Sequence, residues 1–268
     1  MENAGVFTVK GKSEHNVFIP SDSYTCSIKA ICVLPDGKVL VADSNNQKVK
    51  LLNQQYQVVS HCGVTAGPWD MCVITPSVVA VSVDHGIQFI TVNKTQLVPA
   101  RKVQLEHDCK GIAHHQMDLF ITSSKALYKY SLSGDLVNLV CTLYEDVSGP
   151  YTVDKCAVSP TGYRLYITSF LQHKLLTLAR DGTLLATYTD PALRGPTGLH
   201  VTPAGQVLVC GEWSNTVLQV GWEGKSKLAT LATQKDGMRW PESVCYSSTT
   251  SSIIVGQNGD NILVFRVE

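Results

Sequence analysis

The chain has 268 residues, of which 44% are hydrophobic and only 16% are charged. This composition is too apolar for a disordered protein and allows one large domain, or two small ones, with a buried core. Lysine plus arginine and aspartate plus glutamate both number 22, so the net charge is zero and no global basic field draws the protein to nucleic acid or membrane.

The N-terminal stretch shows neither a targeting signal nor a membrane span. Residues 1–10, MENAGVFTVK, lack the basic start and the long apolar run of a signal peptide. No stretch of the chain approaches the roughly 18 uninterrupted apolar residues of a membrane helix. We therefore expect a soluble, cytoplasmic protein. Within this region, GVFTVKG at residues 5–11 is strand-like.

A unit of 40 to 45 residues then recurs six times, and its first copy, AICVLPDGKVLVADSNNQKVKLLN, covers residues 30–53. Each copy contains an apolar strand, a turn, a second strand, a polar loop, a third strand and a weaker fourth one. This period is typical of β-propeller blades, which must pack on one another because one blade cannot bury both of its faces. The turns are marked by Pro35, Pro76, Gln116, Pro160, Pro203 and Ser248.

The repeats predict an all-β fold: a six-bladed β-propeller of four-stranded antiparallel blades in a single domain, residues 1–268. The blades are expected at residues 27–60, 69–105, 109–143, 154–189, 196–233 and 241–268. The last copy ends at Glu268 after three strands, so the strand at residues 5–11 is expected to complete the last blade and close the ring. Equivalent, buried positions on the second strands are predicted for Leu40, Ala80, Phe120, Tyr166, Leu208 and Ile254.

The sequence predicts neither a metal site nor a cofactor site. Its nine cysteines include no CxxC pair, and most look like buried thiols in a reducing compartment. GVFTVKGKS at residues 5–13 has the wrong glycine spacing for a phosphate-binding loop. His107, Cys109, His114 and His115 span a loop and an alternating strand, so their side chains are expected to diverge.

Two of the copies resemble NHL repeats. LPDGKVLVADSNNQKVKLL at residues 34–52 keeps the NHL pattern best, and GPTGLHVTPAGQVLVCGEWSNTVLQV at residues 195–220 is a second match, although Cys210 and Gly211 replace an Ala-Asp step. The style of the repeats is most similar to the C-terminal NHL propellers of tripartite-motif (TRIM) proteins. This resemblance implies a recognition module from a longer protein, in which a ubiquitin-ligase activity would belong to other domains.

Propeller geometry predicts where such a module binds. Loops that enter the first strand of each blade, and loops that join second to third strands, emerge on one face around the channel mouth. Trp69 and Tyr151, each after a Gly-Pro pair, either fill gaps between blades or contact a partner. The candidate partner- or RNA-binding residues on these loops are Lys29, Trp69, Lys110, Tyr151, Lys155, Phe170, His173, Arg194, Trp213, Arg239 and Trp240.

Two binding functions fit these loops. In the preferred one, aromatic and arginine anchors hold a protein or peptide substrate, as in the substrate receptors of TRIM ubiquitin ligases. In the alternative, the same aromatic residues stack on bases of single-stranded RNA while lysine and arginine neutralise phosphates. Because the loops contain at least as many acids as bases, we expect protein recognition, with no binding of DNA or membranes and a monomeric isolated domain.

An enzymatic function is the minor alternative, because six-bladed propellers also include calcium-dependent lactonases and lyases. The inner strands begin here with a mixed set of residues, in which two lysines interrupt the acids. Such a ring favours ion pairs over a divalent cation, so the sequence predicts a domain that is not an enzyme. The residues of this ring are Lys29, Asp70, Lys110, Asp154, Thr197 and Glu242.

Overall fold

In the computed structural model, which describes residues 5–142 and 153–268, the alternating runs form six four-stranded antiparallel sheets. The first strands of neighbouring sheets contact one another all round a central channel, so the sheets are the blades of a closed ring. The predicted all-β, six-bladed propeller is therefore confirmed. Helical structure in the described residues amounts to one 3-10 turn, Gln234–Asp236, and none of it could cross a membrane.

The strands of each blade follow the chain from the channel to the outer edge, except that the closing strand β1 joins the last blade. The closing strand and the first three blades comprise β1 (Val9–Asn16); β2 (Ile28–Val33), β3 (Val39–Asp43), β4 (Lys48–Leu52) and β5 (Val58–Gly63); β6 (Pro68–Thr75), β7 (Val78–Val83), β8 (Gly86–Val92) and β9 (Leu97–Gln104); and β10 (Ile112–His115), β11 (Asp118–Ser123), β12 (Ala126–Ser131) and β13 (Leu136–Thr142). The other three comprise β14 (Cys156–Val158), β15 (Arg164–Ser169), β16 (Lys174–Ala179) and β17 (Leu184–Tyr188); β18 (Pro196–Val201), β19 (Val207–Gly211), β20 (Thr216–Val220) and β21 (Lys227–Ala232); and β22 (Pro241–Ser247), β23 (Ser252–Gln257) and β24 (Asn261–Val267).

The ring closes through β1, which pairs antiparallel with β24 and completes the sixth blade. This strand is Val9–Asn16, whereas the sequence predicted residues 5–11. The reason is that β1 lies at the outer edge, where its polar side chains face solvent and leave no apolar pattern. The apolar residue that drew the prediction, Phe7, is instead buried against blades 5 and 6, and its amide donates to Gln219 Oε1 at 2.9 Å.

Apolar side chains of the second strands form the interior between the blades. All six positions that the sequence predicted as equivalent are at most 1% exposed, which confirms the register of the repeats. Leu208, for example, packs with Val244 and Val255 between blades 5 and 6. Burial of these side chains supplies the main driving force for folding, at roughly 1.5–3 kcal/mol for each large one.

Hydroxyl groups of the second strands fix the first residue of the following blade. Ser82 Oγ in β7 donates to the carbonyl oxygen of Lys110 at 2.5 Å, and Thr122 Oγ1 in β11 donates to that of Asp154 at 2.5 Å. These acceptors lie two residues before the inner strands β10 and β14. The bonds between blades therefore determine where Lys110 and Asp154 stand at the channel mouth.

The first repeat copy contains two buried charged residues, Asp43 and Lys50, which belong to one buried ion network. Asp43 accepts a hydrogen bond from the Ser27 amide at 3.1 Å and from Asn46 Nδ2 at 2.8 Å, which holds the loop between β3 and β4. Lys50 is fully buried, and its Nζ lies 2.9 Å from Asp43 Oδ2 and 2.6 Å from Asp22 Oδ2. The network thus fastens the segment between β1 and β2 to blade 1.

Candidate functional site

A cleft of about 620 Å³ lies at the end of the channel where the inner strands begin. The loops predicted to share this face contribute to it together, because the antiparallel order of every blade places them at the same end. We call it the central cleft. Its lining includes Lys29, Trp69, Asp84, Asp108, Lys110, Asp154, Lys155, Phe170, Thr197, Glu212 and Glu242.

The lysines at the channel mouth form ion pairs with acidic side chains, as the sequence predicted. Lys29 Nζ lies 2.8 Å from Glu242 Oε1, and Lys110 Nζ lies 3.6 Å from an Asp154 carboxylate oxygen. Lys155 Nζ lies 3.4 Å from Asp70 Oδ1 and also donates to the carbonyl oxygen of Lys29. Each ammonium of the cleft is thereby compensated within the protein.

Lys155 was predicted to contact a partner, but the structure buries it. Its side chain is buried, since only 9% of the residue is exposed, and its ammonium is directed at Asp70 inside the channel. Burial raises the pKa of Asp70, although Lys155 and the Ile112 amide oppose this shift. Lys155 therefore stabilises a buried carboxylate, and a partner would have to break this pair to reach it.

Carboxylates outnumber ammonium groups along the cleft. Of the described lining residues, three are lysines and five are acids. Burial raises the pKa of Asp154, against the effect of Lys110. Asp108 accepts a hydrogen bond from Ser124 Oγ at 2.7 Å, and Asp84 is exposed near His85. The cleft is therefore acidic by charge count, even though the whole chain is neutral.

Glu212 differs from the other acids of the cleft. Burial raises its pKa, nearby Glu242 and Asp154 add to the shift, and Lys29 opposes it. None of the described residues forms a hydrogen bond or an ion pair with this carboxylate. The sequence analysis did not include Glu212 among the site residues, although its position beside the predicted contact residue Trp213 was an available signal.

Trp69 forms part of the cleft wall. Its side chain is partly open, with 41% of the residue exposed, so it does not serve only to fill a gap between blades. Lys29 Nζ lies 5.6 Å and Lys110 Nζ 5.5 Å from the centre of its indole ring, within the range of cation–π attraction. The ion pairs and the indole ring hold one another in place.

Three rings form a second aromatic feature, which we call the aromatic ridge: Phe170, His173 and Trp213. The Phe170 and Trp213 ring centres are 4.8 Å apart in an edge-to-face arrangement, and the His173 ring lies 5.3 Å from Trp213. Gly195, at φ +59°, approaches both partners so closely that a Cβ would lie 3.0 Å from Phe170 and 3.1 Å from Trp213. Trp213 nevertheless keeps 49% of its surface exposed, which is typical of a contact residue.

The remaining predicted residues lie beside the cleft or outside the described part of the chain. Arg194, Arg239 and Trp240 are exposed on the same end of the propeller but do not line the cleft. The backbone of Trp240 is held by Asn215, whose Oδ1 accepts its amide at 2.7 Å, while 55% of the residue is exposed. Tyr151 lies outside the described residues.

One group in the described residues has the ligand spacing of a metal site: Asp22, Cys26 and Asp43. The ammonium of Lys50 lies among them, 2.6 Å from Asp22, 2.9 Å from Asp43 and 3.5 Å from Cys26 Sγ. A lysine therefore already supplies the positive charge at this position. The group is part of the buried ion network of blade 1.

Comparison with known proteins supports the repeat and the fold. A family model for the NHL repeat matches residues 25–50, which is the copy with the buried ion network. No curated protein matches the sequence. The chain is thus a six-bladed β-propeller that contains an NHL repeat.

Several solved structures share the propeller fold at low identity. A streptogramin B lyase has 13% identity and a TM-score of 0.67, with 98% of each chain covered. A virginiamycin B lyase from Staphylococcus aureus has 11% identity and a TM-score of 0.68, covering 97% of this chain and 99% of that one. A protein of unknown function from Bacteroides thetaiotaomicron has 12% identity and a TM-score of 0.73, covering 97% of this chain and 73% of that one.

These neighbours contradict the expectation that the domain is not an enzyme. The two lyases are enzymes with the same propeller fold, so a ring of mixed charges at the inner strands was not a sound basis for that prediction. At 11–13% identity the likeness concerns the fold, and a lyase activity does not transfer with it. Nothing in these comparisons supports an assignment to TRIM ligases.

Proposed function

We propose that this propeller recognises a protein or peptide through the central cleft and the aromatic ridge. NHL propellers serve in general as binding modules, and exposed tryptophans around a concave surface are typical anchors of protein interfaces. The observation that carries the proposal is the partly exposed Trp213, held against Phe170 at the side of a cleft whose lysines are all ion-paired. Such a surface offers anchors without a surplus of positive charge.

The ion pairing of the cleft lysines makes RNA the less favoured ligand. Bases could stack on the ridge, but affinity for a phosphate backbone comes from lysine and arginine that are available to neutralise it. The cleft lysines already neutralise Glu242, Asp154 and Asp70, and further carboxylates surround them. Phosphates would meet net repulsion there.

A finer proposal concerns the parent protein. The resemblance of the repeats as a whole to the NHL propellers of TRIM proteins supports a role as the substrate-recognition part of a cytoplasmic ubiquitin ligase. The nine cysteines are all free, and seven of them are buried, as suits a reducing compartment. A ligase role can be tested by looking for ubiquitin transfer to a bound protein in the natural full-length chain.

The binding proposal is tested by selecting a random peptide library on the immobilised domain. We expect wild type to enrich a sequence family that Trp213→Ala fails to bind, because the ridge loses its exposed ring. Trp222→Ala is the matched control, since Trp222 is also partly exposed but lies on the turn between β20 and β21, at the opposite end of the propeller. This variant should bind the peptides as wild type does.

Two outcomes would overturn the proposal. One is that no peptide family is enriched, or that Trp213→Ala enriches the same family equally well. The other is tight binding of single-stranded RNA with an affinity that falls steeply with salt, by roughly 0.7 log units per log unit of salt for each neutralised phosphate. The second result would make RNA recognition the primary function.

A further inference from the structure

Glu212 lies in the wall of the central cleft, on the loop between β19 and β20, and backbone hydrogen bonds hold this loop in place. Its amide donates to the carbonyl oxygen of Gly195 at 2.9 Å, and the next amide, of Trp213, donates to that of Arg194 at 3.0 Å. Ser214 Oγ accepts the Arg194 amide at 3.0 Å and donates to the Ala192 carbonyl oxygen at 2.9 Å. These bonds fix the backbone from which the Glu212 side chain enters the cleft wall.

The other carboxylates around Glu212 are satisfied inside the protein. Glu242 accepts from Ser27 Oγ at 2.7 Å and pairs with Lys29, while Asp154 accepts the Phe170 amide at 3.1 Å and pairs with Lys110. Glu212 has no such partner among the described residues. A partly buried carboxylate that only the more distant Lys29 compensates destabilises the unliganded protein, and a cationic group that enters the cleft would relieve this cost.

The walls near Glu212 favour one kind of cation. Phe170 lines the same cleft, and Trp213, the neighbour of Glu212 in sequence, packs against Phe170. A guanidinium is planar, can donate two parallel hydrogen bonds to one carboxylate and stacks on aromatic rings, whereas an ammonium is a compact and strongly hydrated charge. A carboxylate beside aromatic rings therefore suits arginine better than lysine.

We propose that the central cleft receives an arginine side chain of the peptide partner, with Glu212 as its counter-ion and the Phe170 ring, which Trp213 supports from its side, as its apolar wall. This inference rests on the proposed function, because it names the part of the protein ligand that enters the cleft. The cleft, at about 620 Å³, has room for such a side chain together with adjoining peptide backbone.

The test uses the whole chain, residues 1–268, and two probes of nearly the same shape: N-acetyl-arginine amide and its neutral analogue N-acetyl-citrulline amide. Binding is followed through the NMR signals of the tryptophan indole N–H groups. We expect the arginine probe to bind at least about tenfold more tightly, since a charged hydrogen-bonded pair contributes more than about 1.4 kcal/mol. The signal of Trp213 should respond most.

Glu212→Gln should abolish the preference for arginine over citrulline. This variant is expected to fold, because the carboxylate that it replaces makes no hydrogen bond or ion pair within residues 5–142 and 153–268, and its melting temperature provides the check. Glu223→Gln, an exposed acid on the turn between β20 and β21 at the opposite end, is the matched control and should keep the preference. Equal binding of the two probes, no saturable shift at millimolar probe, or an unchanged preference in Glu212→Gln would overturn the inference.

Failure of this inference and failure of the proposed function give different results. If the peptide library yields a Trp213-dependent family without arginine, protein recognition holds and the arginine assignment is wrong. If the arginine probe binds through Glu212 while no peptide family is enriched, the cleft is a cation site and the proposed protein recognition is wrong.

Discussion

Lys29 and Glu242 join the first blade to the last at the channel mouth, with 2.8 Å between Nζ and Oε1. Glu242 is buried and also accepts a hydrogen bond from Ser27 Oγ at 2.7 Å. The ring is therefore closed twice: by this polar contact beside the channel and by the pairing of β1 with β24 at the perimeter. The first of these contacts lies in the central cleft and the second at the outer edge of the ring.

Removal of residues 1–16 should open the perimeter closure. The deletion leaves the edge of β24 unpaired and removes Phe7 from the interface between blades 5 and 6. We expect the melting temperature to fall by roughly ten degrees or more, as a loss of several kcal/mol would produce in a chain of this size. Addition of a peptide with the sequence of residues 5–16 should restore part of the loss, and an unchanged melting curve for the truncated protein would disprove this role.

Lys50→Met should destabilise the protein through the carboxylates that it leaves behind. Lys50 and both of its acidic partners, Asp22 and Asp43, have fully buried side chains. Loss of one partner from such a network costs about 3–5 kcal/mol, measured by urea unfolding. Lys38→Met, at the partly exposed pair with Asp36, is the control and should change the free energy of unfolding by less than about 1 kcal/mol. Similar effects of the two substitutions would contradict the network.

Leu208→Asp tests the register of the blades. Leu208 is fully buried between blades 5 and 6, so the substitution places a carboxylate without a partner in an apolar interface. We expect a loss of several kcal/mol, or an insoluble protein. Leu228→Asp on β21 is the control, because Leu228 is 42% exposed. Wild-type stability of the Leu208 variant would show that the register is wrong.

His200 should make the stability depend on pH. Its ring lies in the channel wall, its Nε2 has no hydrogen-bond partner among the described residues, and burial lowers its pKa from 6.5 to about 4. Between pH 4 and 6.5, His200 is therefore protonated in the unfolded chain and neutral in the folded one. The contribution of His200 to stability is complete above pH 6.5 and is lost as the pH falls from 6.5 toward 4.

Urea unfolding at several pH values in this range measures the effect. Wild type should lose about 3 kcal/mol more than His200→Gln between neutral pH and pH 4. His85→Gln, at an exposed histidine, should retain the pH dependence of wild type. If His200→Gln and wild type lose stability in parallel, the burial of the neutral ring does not control this dependence.

The sequence alone was sufficient for the number of blades, for the buried second-strand positions and for the loops that share one face. These features depend on alternation and turn residues within each unit of about 40 residues, and such local patterns survive when the repeats diverge. The N-terminal closing strand was also predicted, but its bounds were wrong, since the polar residues of β1 carry no apolar period. The expectation that the domain is not an enzyme also went beyond what local motifs can establish.

Only the tertiary structure decided which charges of the channel mouth meet. Lys29 and Glu242 are 213 positions apart in sequence, and Lys155 and Asp70 are 85 apart, so closure of the ring selects these partners. The same closure buried Lys155, placed Trp69 beneath two ammonium groups and left Glu212 without a hydrogen-bond or ion-pair partner in the part of the chain that the structure describes. The physical reason is that ion pairing and desolvation depend on distances of a few ångströms between blades, and no pattern within one repeat encodes those distances.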